Sequence, residues 1–119
     1  MAKSPEQIRR ELLGLKRAFL AQLPDRVQGI ETALNEALGA GEIDRARVDA
    51  LFHLAHRLCG SAGIYGYETV HAAAGAVERV AEGLRNAGGK DEPGRVAELR
   101  QLVLALKRAS DDALAGTES

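Results

Sequence analysis

Apolar residues recur at helical spacing along almost the whole chain, and nowhere do they alternate with period two. Ser4-Pro5-Glu6-Gln7 reads as a helix start, with serine as N-cap, proline at the first helical position and glutamine three residues after the cap. Ile8, Leu12, Leu15, Phe19 and Leu23 follow as one stripe. Leu23-Pro24 marks a break or a new first turn. Val27, Ile30, Leu34, Ala37 and Leu38 form a second stripe, ended by Gly39-Ala40-Gly41. The pattern leaves open whether residues 5–38 form one kinked helix or two. Asp44 is a suitable N-cap for the next helix, with Ile43 and Val48 placed as a hydrophobic staple. That helix is predicted from about Arg45 to Tyr65, with Gly66 as its C-terminal stop. Val70, Ala73, Ala74, Val77, Val80, Ala81 and Leu84 mark a third stripe, whose many small residues permit close approach of a neighbouring helix. A turn is expected from Asn86 to Asp91. Glu92-Pro93 opens the last helix, with Val96, Leu99, Leu102, Val103, Leu106 and Ala113 on one side.

Short connections between such helices favour antiparallel neighbours. The expected fold is all-α: an up-and-down four-helix bundle, with a short additional N-terminal helix covering one end. Residues 1–119 read as a single domain, with 1–3 and 116–119 expected to be disordered. Composition fits this picture. Apolar residues make up 45% and aromatics 3%, so the core is aliphatic and alanine-rich, which suits closely packed helices better than strands. Sixteen basic residues against 17 acidic ones leave no excess to neutralise a nucleic-acid backbone. No apolar run approaches the roughly 20 residues of a membrane span, and the N-terminus lacks the apolar core of a signal peptide. One cysteine makes no internal disulfide, and a cytoplasmic setting is expected.

Candidate chemistry gathers in residues 52–67. On a helix, Val48, Leu51, Phe52, Ala55, Leu58, Cys59 and Ala62 form one apolar stripe, and His56 lies roughly 110° from its centre, at the edge of the packed side. Gly60 and Gly63 follow on that edge. Each glycine costs about 1 kcal/mol in a helix relative to alanine. Tolerating two of them beside an exposed histidine suggests that room is being cleared for another surface to approach the imidazole. Close packing between this chain's own helices is the other use of such glycines.

The run Ala55-His56-Arg57-Leu58-Cys59-Gly60-Ser61-Ala62-Gly63 resembles the signature of histidine-containing phosphotransfer (Hpt) domains, and the resemblance extends in length and helix order over nearly the whole chain. In that family a pattern Ala-His-x-Leu-Lys-Gly-Ser-Ala-Gly lies on a helix of a four-helix bundle. The resemblance implies that His56 carries a phosphoryl group in a two-component phosphorelay, passing it to or from the aspartate of a response-regulator receiver domain, with a sensor histidine kinase upstream. It implies that Nε2 reacts, while the group orienting the other ring nitrogen stays open. The chain is expected to bring no cofactor and to bind no metal of its own; Mg²⁺ is expected on the receiver. A monomer is expected.

Physical chemistry supports such a role. A neutral imidazole is a competent nucleophile near pH 7, and phosphoryl transfer is mostly positioning and charge neutralisation. Without the motif, a lone histidine on a helix edge reads as a solvated residue. Cys59 stands where the family usually carries lysine. It reads as a small hydrophobe at the core edge, with a redox-sensitive thiol as the other reading, and the missing charge predicts a weaker hold on the phosphorylated form. Arg57 points about 100° further round the helix and is no obvious substitute. His53 shares the outer side with His56 as part of the phosphate surroundings or as a bystander, and no further ligands complete a metal set with it. His71 reads as structural or solvated, and Tyr65 and Tyr67 as capping or core-edge residues. No Gly-rich nucleotide loop is present, so a phosphocarrier is expected, not an autonomous kinase. The alternative is a degenerate Hpt-like bundle that binds receiver or kinase domains without carrying phosphate; a third class is an unrelated bundle holding a ligand or metal in its core.

Overall fold

A computed structural model of the chain describes residues 2–39, 43–86 and 93–116. Four helices account for the regular structure of these residues: α1 (Pro5–Leu38), α2 (Arg45–Ile64), α3 (Glu68–Asn86) and α4 (Pro93–Leu114). Each packs on its chain neighbours, and α1 closes the ring against α4. That pattern is the up-and-down bundle expected from the short connections. Its core is aliphatic: Leu23, Val27 and Ile30 of α1, Leu51 and Leu58 of α2, Val70 and Val77 of α3, and Leu99 and Leu106 of α4 are all fully buried.

The caps read from sequence are in place. Ser4 Oγ accepts the Gln7 N–H at 3.2 Å while Gln7 Oε1 accepts the Ser4 N–H at 2.8 Å, a complete capping box. Asp44 accepts from the N–H groups of Ala46 and Arg47. At the far end of α2, Tyr67 N–H donates to Ala62 O at 2.9 Å and Gly66 N–H to Gly63 O at 3.3 Å. This Schellman closure needs a left-handed residue, and Gly66 supplies it with φ of 79°. Tyr65 is the cap residue, so α2 stops one residue short of the expected end.

The N-terminal region differs from expectation. Among the described residues there is no separate short helix covering one end of the bundle; residues 5–38 form one helix that runs through Pro24. Proline removes one main-chain donor and crowds the preceding turn, at a cost of about 3 kcal/mol. Burial of Leu23 and Val27 on either side holds the helix together across it. The first eleven residues of α1 overhang the bundle. Every residue from 5 to 15 is exposed, including Ile8 at 54%, Leu12 at 46% and Leu15 at 54%. The bundle begins at Phe19, whose ring lies 5.5 Å from that of Tyr65 and 5.4 Å from that of Tyr67. Both tyrosines are therefore core-edge residues. Of the segments expected to be disordered, Met1 and residues 117–119 lie outside the described residues. Ala2 and Lys3 are exposed, and Lys3 Nζ meets Glu11 at 2.8 Å. The turns expected at 39–41 and 86–91 lie largely outside the described residues.

Replacing Pro24 with alanine restores the main-chain donor at position 24 without touching the core. The expected result for Pro24→Ala is a rise in thermal midpoint of about 6–12 °C by circular dichroism, the helix gain being partly offset by the freer unfolded chain. An unchanged midpoint would mean that α1 accommodates the proline without cost.

Candidate functional site

The site is built on the α2–α3 hairpin. Contacts run in strict antiparallel register: Gly63 lies against His71, Cys59 against Gly75, His56 against Glu78, and Asp49 against Arg85. Small side chains make this possible, with Ala55 and Ala62 of α2 and Ala74 and Gly75 of α3 buried along the seam.

His56 stands out from this seam with 62% of its side chain exposed. Its inner nitrogen is held: Glu78 Oε2 lies 3.1 Å from Nδ1, and the Glu78 side chain is itself only 23% exposed. A carboxylate can only accept, so the contact favours the tautomer with its proton on Nδ1 and leaves the Nε2 lone pair outward. Behind the imidazole, the Phe52 ring stacks nearly parallel, at 6.0 Å and 10°. The Arg85 guanidinium covers Phe52 at 3.9 Å and bonds Asp49 at 3.1 Å. These contacts limit rotation of the histidine.

The residues expected around His56 separate into different roles. Gly60 faces open space, since a Cβ there would meet nothing within 4 Å. Gly63 departs from the expectation of clearance for a partner: a Cβ there would lie 3.0 Å from His71 Nδ1, so its missing side chain makes room for His71. His71 Nδ1–H donates to Cys59 O at 2.8 Å, tying the two helices at that level. Cys59 is half-buried against α3, with Sγ 3.4 Å from the same ring nitrogen. Burial pushes its thiol pKa up, Glu78 adds to the rise, and Arg79 opposes it. His53 is exposed and turned to Asp49, with Nε2 3.5 Å from Oδ2. Among the described residues, no three His, Cys, Asp or Glu side chains gather as metal ligands.

Glu78 was missed by the sequence reading. An antiparallel hairpin brings together residues equidistant from its turn, and His56 and Glu78 lie equally far from Tyr67. That arithmetic was the available signal.

The sequence profile of the Hpt domain matches residues 14–109. The chain belongs to the Hpt domain family. No curated protein and no solved structure matches it. At family level the function is phosphotransfer in two-component phosphorelays, and the partners of Hpt domains are receiver domains and kinases. The match begins within α1, so the Hpt domain proper omits residues 5–13 of the overhang. No helix among the described residues is long and apolar enough to cross a membrane.

The two glycines of this Hpt domain should respond oppositely to bulk. Gly60→Leu is expected to raise the thermal midpoint by about 2–5 °C, because the new side chain enters solvent and the helix recovers most of the glycine cost. Gly63→Leu should lower it by about 5 °C or more, because His71 must leave Cys59 O. Equal midpoints for the two variants would remove the distinction. The raised thiol pKa gives Cys59 a small thiolate fraction, so its alkylation by iodoacetamide at pH 8 should be slower than that of an unfolded control.

Proposed function

We propose that His56 is the phosphoryl carrier of this Hpt domain, accepting the group from the aspartyl phosphate of one receiver and returning it to the aspartate of another. The observation that carries this reading is the held imidazole: Nδ1 lies 3.1 Å from Glu78, Phe52 backs the ring, and 62% of the side chain is exposed beside Gly60. In the forward step the Nε2 lone pair attacks phosphorus in line with the aspartyl oxygen. The N–P bond forms, the P–O bond breaks, and the electron pair leaves with the aspartate carboxylate. Glu78 keeps the proton on Nδ1 throughout. The phosphorylated ring is then a protonated imidazole, a good leaving group for the return step. On this reading the receiver brings the Mg²⁺ and the lysine that neutralise the transferring group, and this chain contributes position and tautomer. A visiting receiver reaches Nε2 across Gly60.

Incubation with a phosphorylated receiver should place acid-labile, base-stable label on the wild type and none on His56→Gln. Absence of label on the wild type with every competent donor would favour a bundle that docks these partners without carrying phosphate. Glu78→Ala, which removes the acceptor at Nδ1, should slow transfer about tenfold while leaving the bundle folded. Glu78→Gln, which can still present an oxygen there, should lose much less. Gly60→Leu should block transfer from a receiver without loss of fold.

A further inference from the structure

A phosphoryl group on His56 would put up to two negative charges on a ring whose far side already faces the Glu78 carboxylate at 3.1 Å. Such a group needs a cation within reach, and Cys59 occupies the position where the family usually carries lysine. Of the five arginines on α2 and α3, Arg57, Arg79 and Arg85 lie nearest His56 in the hairpin register. Arg57 is turned to the α1 side: with Arg26 and Asp25 it lines the shallow groove between α1 and α2, and its charge, after burial, lowers the pKa of Arg26. Arg85 is committed to Asp49 and to the Phe52 ring.

Arg79 is different. It follows Glu78 directly on α3 and is exposed. Its guanidinium folds back one turn, with Nη1 3.4 Å from where a Cβ of Gly75 would lie, and Cys59 Sγ sits 3.4 Å from that same point. The cation and the thiol therefore border the same gap over Gly75, on the side of α2 where a lysine at position 59 would stand. Gly75 is what lets them do so, since a side chain there would occupy the gap. Among the described residues Arg79 has no ion-pair partner within 4 Å. Cys59 is one helical turn from His56, and residues so spaced are neighbours on a helix surface.

We infer that Arg79 supplies the positive charge that holds the phosphoryl group on His56, delivered across the helix seam from α3 in place of the missing α2 lysine. The inference rests on the reading of His56 as the carrier. Arg79 is a phosphate-binding residue in this scheme and takes no part in proton transfer.

The test uses the full chain with phosphoramidate, a small phosphoryl donor that needs no protein partner. ³¹P NMR then reads the phosphorylated fraction and its decay. Arg79→Ala should lower the fraction or the lifetime about three- to tenfold, as expected for one charge near an exposed phosphate. Arg79→Lys should stay near wild type, and Cys59→Lys placed in the Arg79→Ala background should restore most of the loss. A purely structural arginine would not be rescued by a charge on the other helix. Equal lifetimes for wild type and Arg79→Ala overturn the inference, as does a loss that neither lysine variant repairs. If the wild type takes no label while His56 stays exposed and the chain folded, the carrier reading itself fails, and this inference with it. Normal labelling with an insensitive Arg79→Ala overturns the inference alone.

Discussion

Close approach of α2 and α3 is the constraint from which the site follows. Alanine and glycine line the seam between them, and bulkier residues there would part the helices. With the seam closed, Gly66 turns the chain at a left-handed φ of 79°, and the register is set for the whole hairpin. His71 then meets Cys59 O at 2.8 Å and Glu78 meets His56 at 3.1 Å. Neither polar contact makes the hairpin; both depend on aliphatic packing that puts their partners within reach. The polar contacts in turn specify the register, because a slip of one residue would strand a half-buried carboxylate without its imidazole.

Within that frame the electrostatics of the site are mixed. Glu78 selects the useful tautomer, and as a carboxylate it also brings negative charge close to where a phosphoryl group would sit. An amide in its place would accept the same proton with no net charge. On the proposed reading of His56 as the carrier, that charge also disfavours accumulation of the phosphorylated form. Half-burial of Glu78 strengthens both effects, since screening falls as water is excluded.

Much of this was legible in the sequence where local chemistry decides structure. The buried face of α2 from Val48 to Ala62, the Ser4 and Asp44 caps and the Gly66 stop all follow from spacing and from the conformational needs of single residues. α1 was harder. Pro24 is a local breaker, and only the buried Leu23 and Val27 around it show why the helix continues. The stripe Ile8, Leu12 and Leu15 has helical period, yet period alone does not reveal whether a partner faces it, and none does among the described residues. At the site, His56 and Gly60 stood out through the motif. Gly63 misled because a missing side chain marks a space without naming its occupant, which here is His71. Glu78 and Arg79 look like ordinary surface charges until register places them against α2.

The overhanging start of α1 divides the chain energetically. Residues 5–15 bury almost nothing, so their helicity rests on the capping box, the Lys3–Glu11 contact and intrinsic propensity. Melting that segment exposes little apolar surface and costs only a small local free energy, whereas freeing His56 from Glu78 requires opening the cooperative unit that contains the core. Thermal fluctuations at the N-terminus can therefore come and go while the imidazole keeps its aim. Whatever touches the overhang perturbs a reservoir of cheap motion from which His56 and its contacts are insulated.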